Sequence, residues 1–77
     1  MNMQILQAVL MEAQAKEAKA VVNLNNYMNN AAGIGEHPDI VAECSKLVKD
    51  ISEARDTIDC VNELVKDFVN KEKASDD

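Results

Sequence analysis

Residues 40–68 read IVAECSKLVKDISEARDTIDCVNELVKDF, and this stretch carries the clearest periodicity in the chain. Its apolar residues follow one another at alternating spacings of 4 and 3, which is a heptad seam on one face of an α-helix. The pattern therefore predicts a long helix over about residues 38–70. The seam positions are Ile40, Cys44, Leu47, Ile51, Ala54, Ile58, Val61, Val65 and Phe68.

A second seam with the same spacing precedes the first and predicts another helix over about residues 3–31. Alanine, the strongest helix former, is abundant in this segment. One seam member, Glu17, is charged. The positions of this seam are Met3, Leu6, Leu10, Ala13, Glu17, Ala20, Leu24, Tyr27 and Ala31.

The break between the two seams is residues 31–38, AAGIGEHP, which hold both glycines and the only proline of the chain. Gly33 suits the left-handed position that ends a helix. Pro38 suits the first turn of the next helix, where its missing N–H leaves no hydrogen bond unmade. This alignment makes His37 the N-cap of the second helix, although histidine is not a preferred capping residue.

A turn as short as residues 32–37 makes the two helices antiparallel neighbours. The sequence thus predicts one all-α domain over residues 1–77, an antiparallel two-helix hairpin with a polar, frayed tail at 71–77. Folding the chain back on itself brings Glu17 within about one helical turn of Arg55. We expect an ion pair between these two side chains.

The composition excludes several classes of function. The 77 residues include 14 acids and 8 bases, and a net charge of −6 opposes binding to nucleic acid or to anionic membranes. Two cysteines and one histidine cannot supply the four ligands of a zinc site within one chain. The spacing gives no nucleophile with a base and no paired carboxylates, so we expect no enzyme activity and no cofactor. We interpret the cysteines as reduced thiols of a cytoplasmic protein.

The apolar stripes are wider than the contact between two helices, because further apolar residues flank both seams. A single hairpin would leave that surface in water. We therefore expect a homo-oligomer, and a dimer of hairpins forming a four-helix bundle is the simplest closed arrangement. The oligomer core is predicted to comprise Leu6, Leu10, Leu24, Leu47, Ile51, Ile58, Val61 and Val65.

The least typical segment of the first helix is residues 23–30, NLNNYMNN, because asparagine is a poor helix former and five occur here. Amide side chains both donate and accept hydrogen bonds, and a tyrosine beside them can stack on a ligand. The alternative is a solvated helix end whose amides cap backbone groups. With the adjoining turn, the candidate recognition surface is Asn23, Asn26, Tyr27, Asn30, Gly33, Gly35, Glu36 and His37.

The segment from residue 27 to residue 41, YMNNAAGIGEHPDIV, followed by ISEARD at 51–56, resembles small uncharacterised proteins from bacteriophage genomes. Those proteins share a Gly-x-Gly-Glu-His-Pro-Asp turn between two helices. The resemblance implies a phage origin and a place of action in the host cytoplasm. It transfers no catalytic residue.

These features together lead us to expect a non-catalytic phage accessory protein that binds a host or phage protein, for example as an anti-defence inhibitor. One alternative is an oligomeric sponge that sequesters a small signalling nucleotide near the asparagine-rich end. Another is a structural subunit or assembly chaperone of the virion.

Overall fold

The computed structural model describes residues 2–30 and 39–75 of the chain. In the second range it describes the side chains as far as residue 71. These ranges form two helices and no strand: α1 (Gln4–Asn29) and α2 (Ile40–Ser75). The helices pack against each other along their length, which confirms the predicted all-α hairpin. The molecule is a rod with extents of 63 × 16 × 15 Å.

The contact between α1 and α2 follows the two predicted seams. Every seam residue in the described ranges is buried or half-buried, and every other described residue of α1 is exposed. On α2 the additional half-buried residues are Glu43 and Leu64. The heptad spacing therefore predicted the inner face of both helices correctly.

Small residues lie at the centre of this contact. Ala13, Ala20 and Ala54 are only 4–5% exposed, and they are buried together with Ile51 and Val61. Because alanine side chains are short, the two helix backbones can approach closely at this level. The leucines and the aromatic residues towards the ends of the seams are only half-buried.

The start of α2 differs from the prediction because a different side chain caps it. Asp39 is the N-cap of α2, because its Oδ1 accepts a hydrogen bond from the backbone N–H of Ala42 at 2.9 Å. Helix α2 therefore begins at Ile40 rather than at residue 38. Aspartate is among the preferred N-cap residues, whereas histidine is not. The predicted cap, His37, lies outside the described residues.

Two other boundaries also shift. Helix α1 ends at Asn29 and not at 31, and its C-cap Asn30 donates its backbone N–H to the Asn26 carbonyl. Helix α2 continues to Ser75, so most of the tail predicted to fray is helical. The sequence KEKA after residue 70 consists of good helix formers with no glycine or proline to end the helix.

The eight residues predicted as the oligomer core lie between α1 and α2 of one chain. Ile51 and Val61 are buried there, and the other six are half-buried. Each therefore already packs against a helix of its own chain. Their contribution to an oligomer stays a prediction.

Candidate recognition surface

The asparagine-rich end of α1 presents amide groups to solvent. Asn23, Asn26 and Asn30 are exposed, and the neighbouring Tyr27 is half-buried on the seam. The Nδ2 group of Asn30 donates a hydrogen bond to Oδ1 of Asn26 at 3.1 Å. This bond orients the two amides, while both side chains stay open to water. The other members of the predicted surface, Gly33, Gly35, Glu36 and His37, lie outside the described residues.

A groove between the helices adjoins this end, with a volume of about 490 Å³ and Asn23 in its lining. Its floor includes the buried alanines of the seam, and its walls carry charged side chains. One wall carries an exposed ion pair in which Lys16 Nζ lies 3.4 Å from Glu12 Oε1. The lining comprises Val9, Glu12, Ala13, Lys16, Lys19, Ala20, Asn23, Leu47, Asp50, Glu53, Ala54 and Thr57.

The side of the hairpin opposite the groove has a different character. Residues spaced by seven on each helix share a face, and two such rows flank the seams on this side. All of their members are exposed, and none is acidic. We call this surface the valine face, and it consists of Gln7, Gln14, Val21 and Met28 on α1 and Val41, Val48, Arg55, Asn62 and Val69 on α2.

Arg55 is the one charged residue of the valine face, and its charge is paired. Its Nε donates a hydrogen bond to Oε2 of Glu17 at 2.6 Å, which confirms the predicted ion pair. The Glu17 side chain is 28% exposed and that of Arg55 is 65% exposed. The negative charge of Glu17, on the α1 seam, is thus compensated by the positive charge of Arg55, on the valine face of α2.

The asparagine-rich end is visible in the sequence, whereas the groove and the contrast between the two sides of the hairpin were not predicted from it. The signal was present in the residues that flank the seams. On the groove side they include Lys16 and Asp50, whereas on the other side they are mostly valine, methionine and amide residues. The contrast becomes visible only once the two helices are packed together, because the uncharged row of α1 then lies beside the mostly uncharged row of α2.

Other chemistry is sparse in the part of the chain that the structure describes. Cys44 is half-buried on the seam, and Cys60 is exposed. Among the described residues, no group of three or more His, Cys, Asp or Glu side chains could hold a metal ion. Neither described helix has a segment long and apolar enough to cross a bilayer.

No protein-family model matches the chain, and neither a curated protein nor a solved structure shows significant similarity to it.

Proposed function

We propose that the chain is a non-catalytic interaction protein that assembles with itself and binds a partner protein. The observation that carries this proposal is the balance of exposed and buried apolar side chains. Within the described residues, nine large hydrophobic side chains are exposed. Only five hydrophobic residues are buried, and three of these are alanines. Four of the nine exposed residues share one face: Val21, Met28, Val41 and Val48. A contiguous exposed apolar patch is typical of surfaces that contact other chains.

The asparagine-rich end of α1 is the proposed surface for the partner. It combines exposed amides, which pair with backbone and side-chain groups, with an aromatic ring at its edge. The resemblance of the adjoining turn to phage proteins supports a host or phage protein as the partner. It also supports a role as an anti-defence inhibitor in the host cytoplasm.

The test is affinity capture from host lysate with variants of that surface. The double variant Asn26→Ala/Asn30→Ala removes the two bonded amides. Alanine is the better helix former at residue 26, and the C-cap bond at residue 30 is made by the backbone N–H, which both residue types supply. Asn70→Ala on α2 is the matched control, since it removes an exposed amide far from this end. We expect a partner retained by the wild type and by the control but lost by the double variant. Identical sets of retained proteins for all three baits would overturn the proposal.

A second candidate function, sequestration of a small signalling nucleotide, is favoured by one observation. The groove has a volume typical of small-molecule sites, carries Lys16 and Lys19 on one wall, and runs into the amide surface at Asn23. Lysines suit phosphate groups, and amides suit base edges. Three acids in the same lining oppose an anionic ligand, which is why this function ranks second.

Thermal unfolding with added cyclic dinucleotides tests the nucleotide function, because a ligand of the folded state raises the melting temperature. A rise that is lost in Lys16→Ala/Lys19→Ala but kept in Lys66→Ala would support it. An unchanged melting temperature at millimolar nucleotide would exclude the groove as a site for this class of ligand.

A further inference from the structure

We infer that the valine face is the surface on which a second copy of this chain packs, with the turn ends of both copies together. The turn end is the end of the rod where α1 ends and α2 begins. This inference rests on the self-assembly in the proposed function and names its surface.

The surface area of the chain supports a partner of this size. A folded monomer of 8.5 kDa typically exposes about 4,700 Å². This chain exposes 6002 Å², an excess of about 1,300 Å² over that typical value. A standard interface covers roughly 800 Å² on each partner. The excess is therefore large enough for one stable contact with another copy.

Charge selects the face. The chain has a net charge of −6, so two copies repel each other overall, and a contact must lie where few charges are buried. The groove side carries five charged side chains, and a copy packed there would take all of them out of water: Glu12, Lys16, Lys19, Asp50 and Glu53. The valine face carries no acid, and its one base is already paired with Glu17. Two copies can meet there without burying an unpaired charge.

The distribution of apolar side chains selects the orientation. Four large apolar residues of the valine face lie in the half near the turn end, and three are more than half exposed: Met28 at 67%, Val41 at 76% and Val48 at 53%, with Val21 at 36%. The half of the valine face far from the turn end carries three amide side chains and one large apolar side chain, that of Val69. A two-fold axis along the rod places the apolar halves of both copies against each other. In that arrangement α1 of one copy packs on α2 of the other, so Val21 faces Val48 of the second copy.

This dimer has a consequence for the recognition surface. Because both turn ends lie at the same end of the bundle, the asparagine-rich ends of the two copies lie side by side. One partner molecule could then contact Asn26 and Asn30 of both copies. The opposite orientation would place these surfaces at opposite ends of a 63 Å rod.

The experiment compares the dimer dissociation constants of two variants by sedimentation equilibrium. Val48→Glu puts a charge on the valine face, and Thr57→Glu puts the same charge at an exposed position on the groove side. We expect Val48→Glu to weaken dimerisation by on the order of 100-fold, because the interface would bury an unpaired carboxylate. Thr57→Glu should change it by less than about 5-fold.

Charge rescue keeps the test decisive even if Val48→Glu unfolds as a monomer. Val21→Lys should also disrupt the dimer. An equimolar mixture of the two variants should restore both dimer and helicity, because the introduced carboxylate of one chain would meet the introduced ammonium group of the other across the interface. A mixture that stays monomeric overturns the orientation, and equal effects of Val48→Glu and Thr57→Glu overturn the face. A monomeric wild type would instead remove self-assembly from the proposed function itself.

Discussion

At the scale of single residues, the contact between the helices includes one ionic pair in an otherwise mostly apolar seam. Glu17 is held by Arg55 at 2.6 Å, and Arg55 remains largely exposed. A pair with this exposure contributes modestly to stability. The pair was predictable from the sequence because the fold-back of the chain brings Arg55 to the level of Glu17.

The ion pair is tested with a double-mutant cycle of Glu17→Gln and Arg55→Ala in urea unfolding at fixed chain concentration. We expect a coupling energy of about 0.5–1 kcal/mol at low salt, smaller at high salt because exposed charges are screened. Lys66→Ala, which removes an exposed base on the same helix, should change stability by less than about 0.5 kcal/mol. Zero coupling at low salt would contradict a stabilising pair.

The buried alanines give a second prediction at this scale. Ala54→Leu inserts three carbons at one of the most buried positions of the contact, so it should lower the free energy of unfolding by about 1–3 kcal/mol. Ala42→Leu makes the same chemical change at an exposed position of α2 and should be nearly neutral in the same urea titration. A tolerated Ala54→Leu would show that the helices are not closely packed at this level.

At the scale of the helices, the seams were predictable and the ends were not. The heptad spacing identifies the inner face because burial follows periodicity along the helix. A helix end depends on single capping bonds, such as the one that Asp39 accepts from the Ala42 N–H. The sequence offered both Asp39 and Pro38 as signals for this end, and periodicity does not choose between them. The C-terminal extension to Ser75 shows that polarity alone does not end a helix.

The cap of α2 can be measured directly. Asp39→Ala removes the acceptor for the Ala42 N–H and should cost about 1 kcal/mol of stability, with loss of helicity at the start of α2. Asp59→Ala removes the same charge from the middle of the helix and should have a much smaller effect. Equal losses in circular dichroism and thermal unfolding would mean that charge, and not the cap, matters at residue 39.

The candidate site was only partly predictable at the residue and helix scales. The asparagine-rich segment is visible in the sequence because five amides in eight residues are unusual in a helix. The valine face and the groove were not recognised, because each is composed of rows from two helices. Their contrast appears only when the side on which α2 packs against α1 is known.

At the scale of the whole molecule, the rod cannot hide its own apolar surface. In the part of the chain that the structure describes, two helices make a single contact with each other, so Val22, Val41 and Val48 remain in water. Covering this surface is the physical basis for the proposed self-assembly and partner binding. Stability should therefore rise with chain concentration, since assembly stabilises the folded state by mass action.

The most direct measurement is sedimentation equilibrium of the unmodified chain, from low micromolar to several hundred micromolar, with helicity followed in parallel. We expect a species of twice the 8.5 kDa chain mass whose helicity and melting temperature increase with concentration. A fully helical species that keeps the mass of one chain at every concentration would contradict self-assembly of the hairpin.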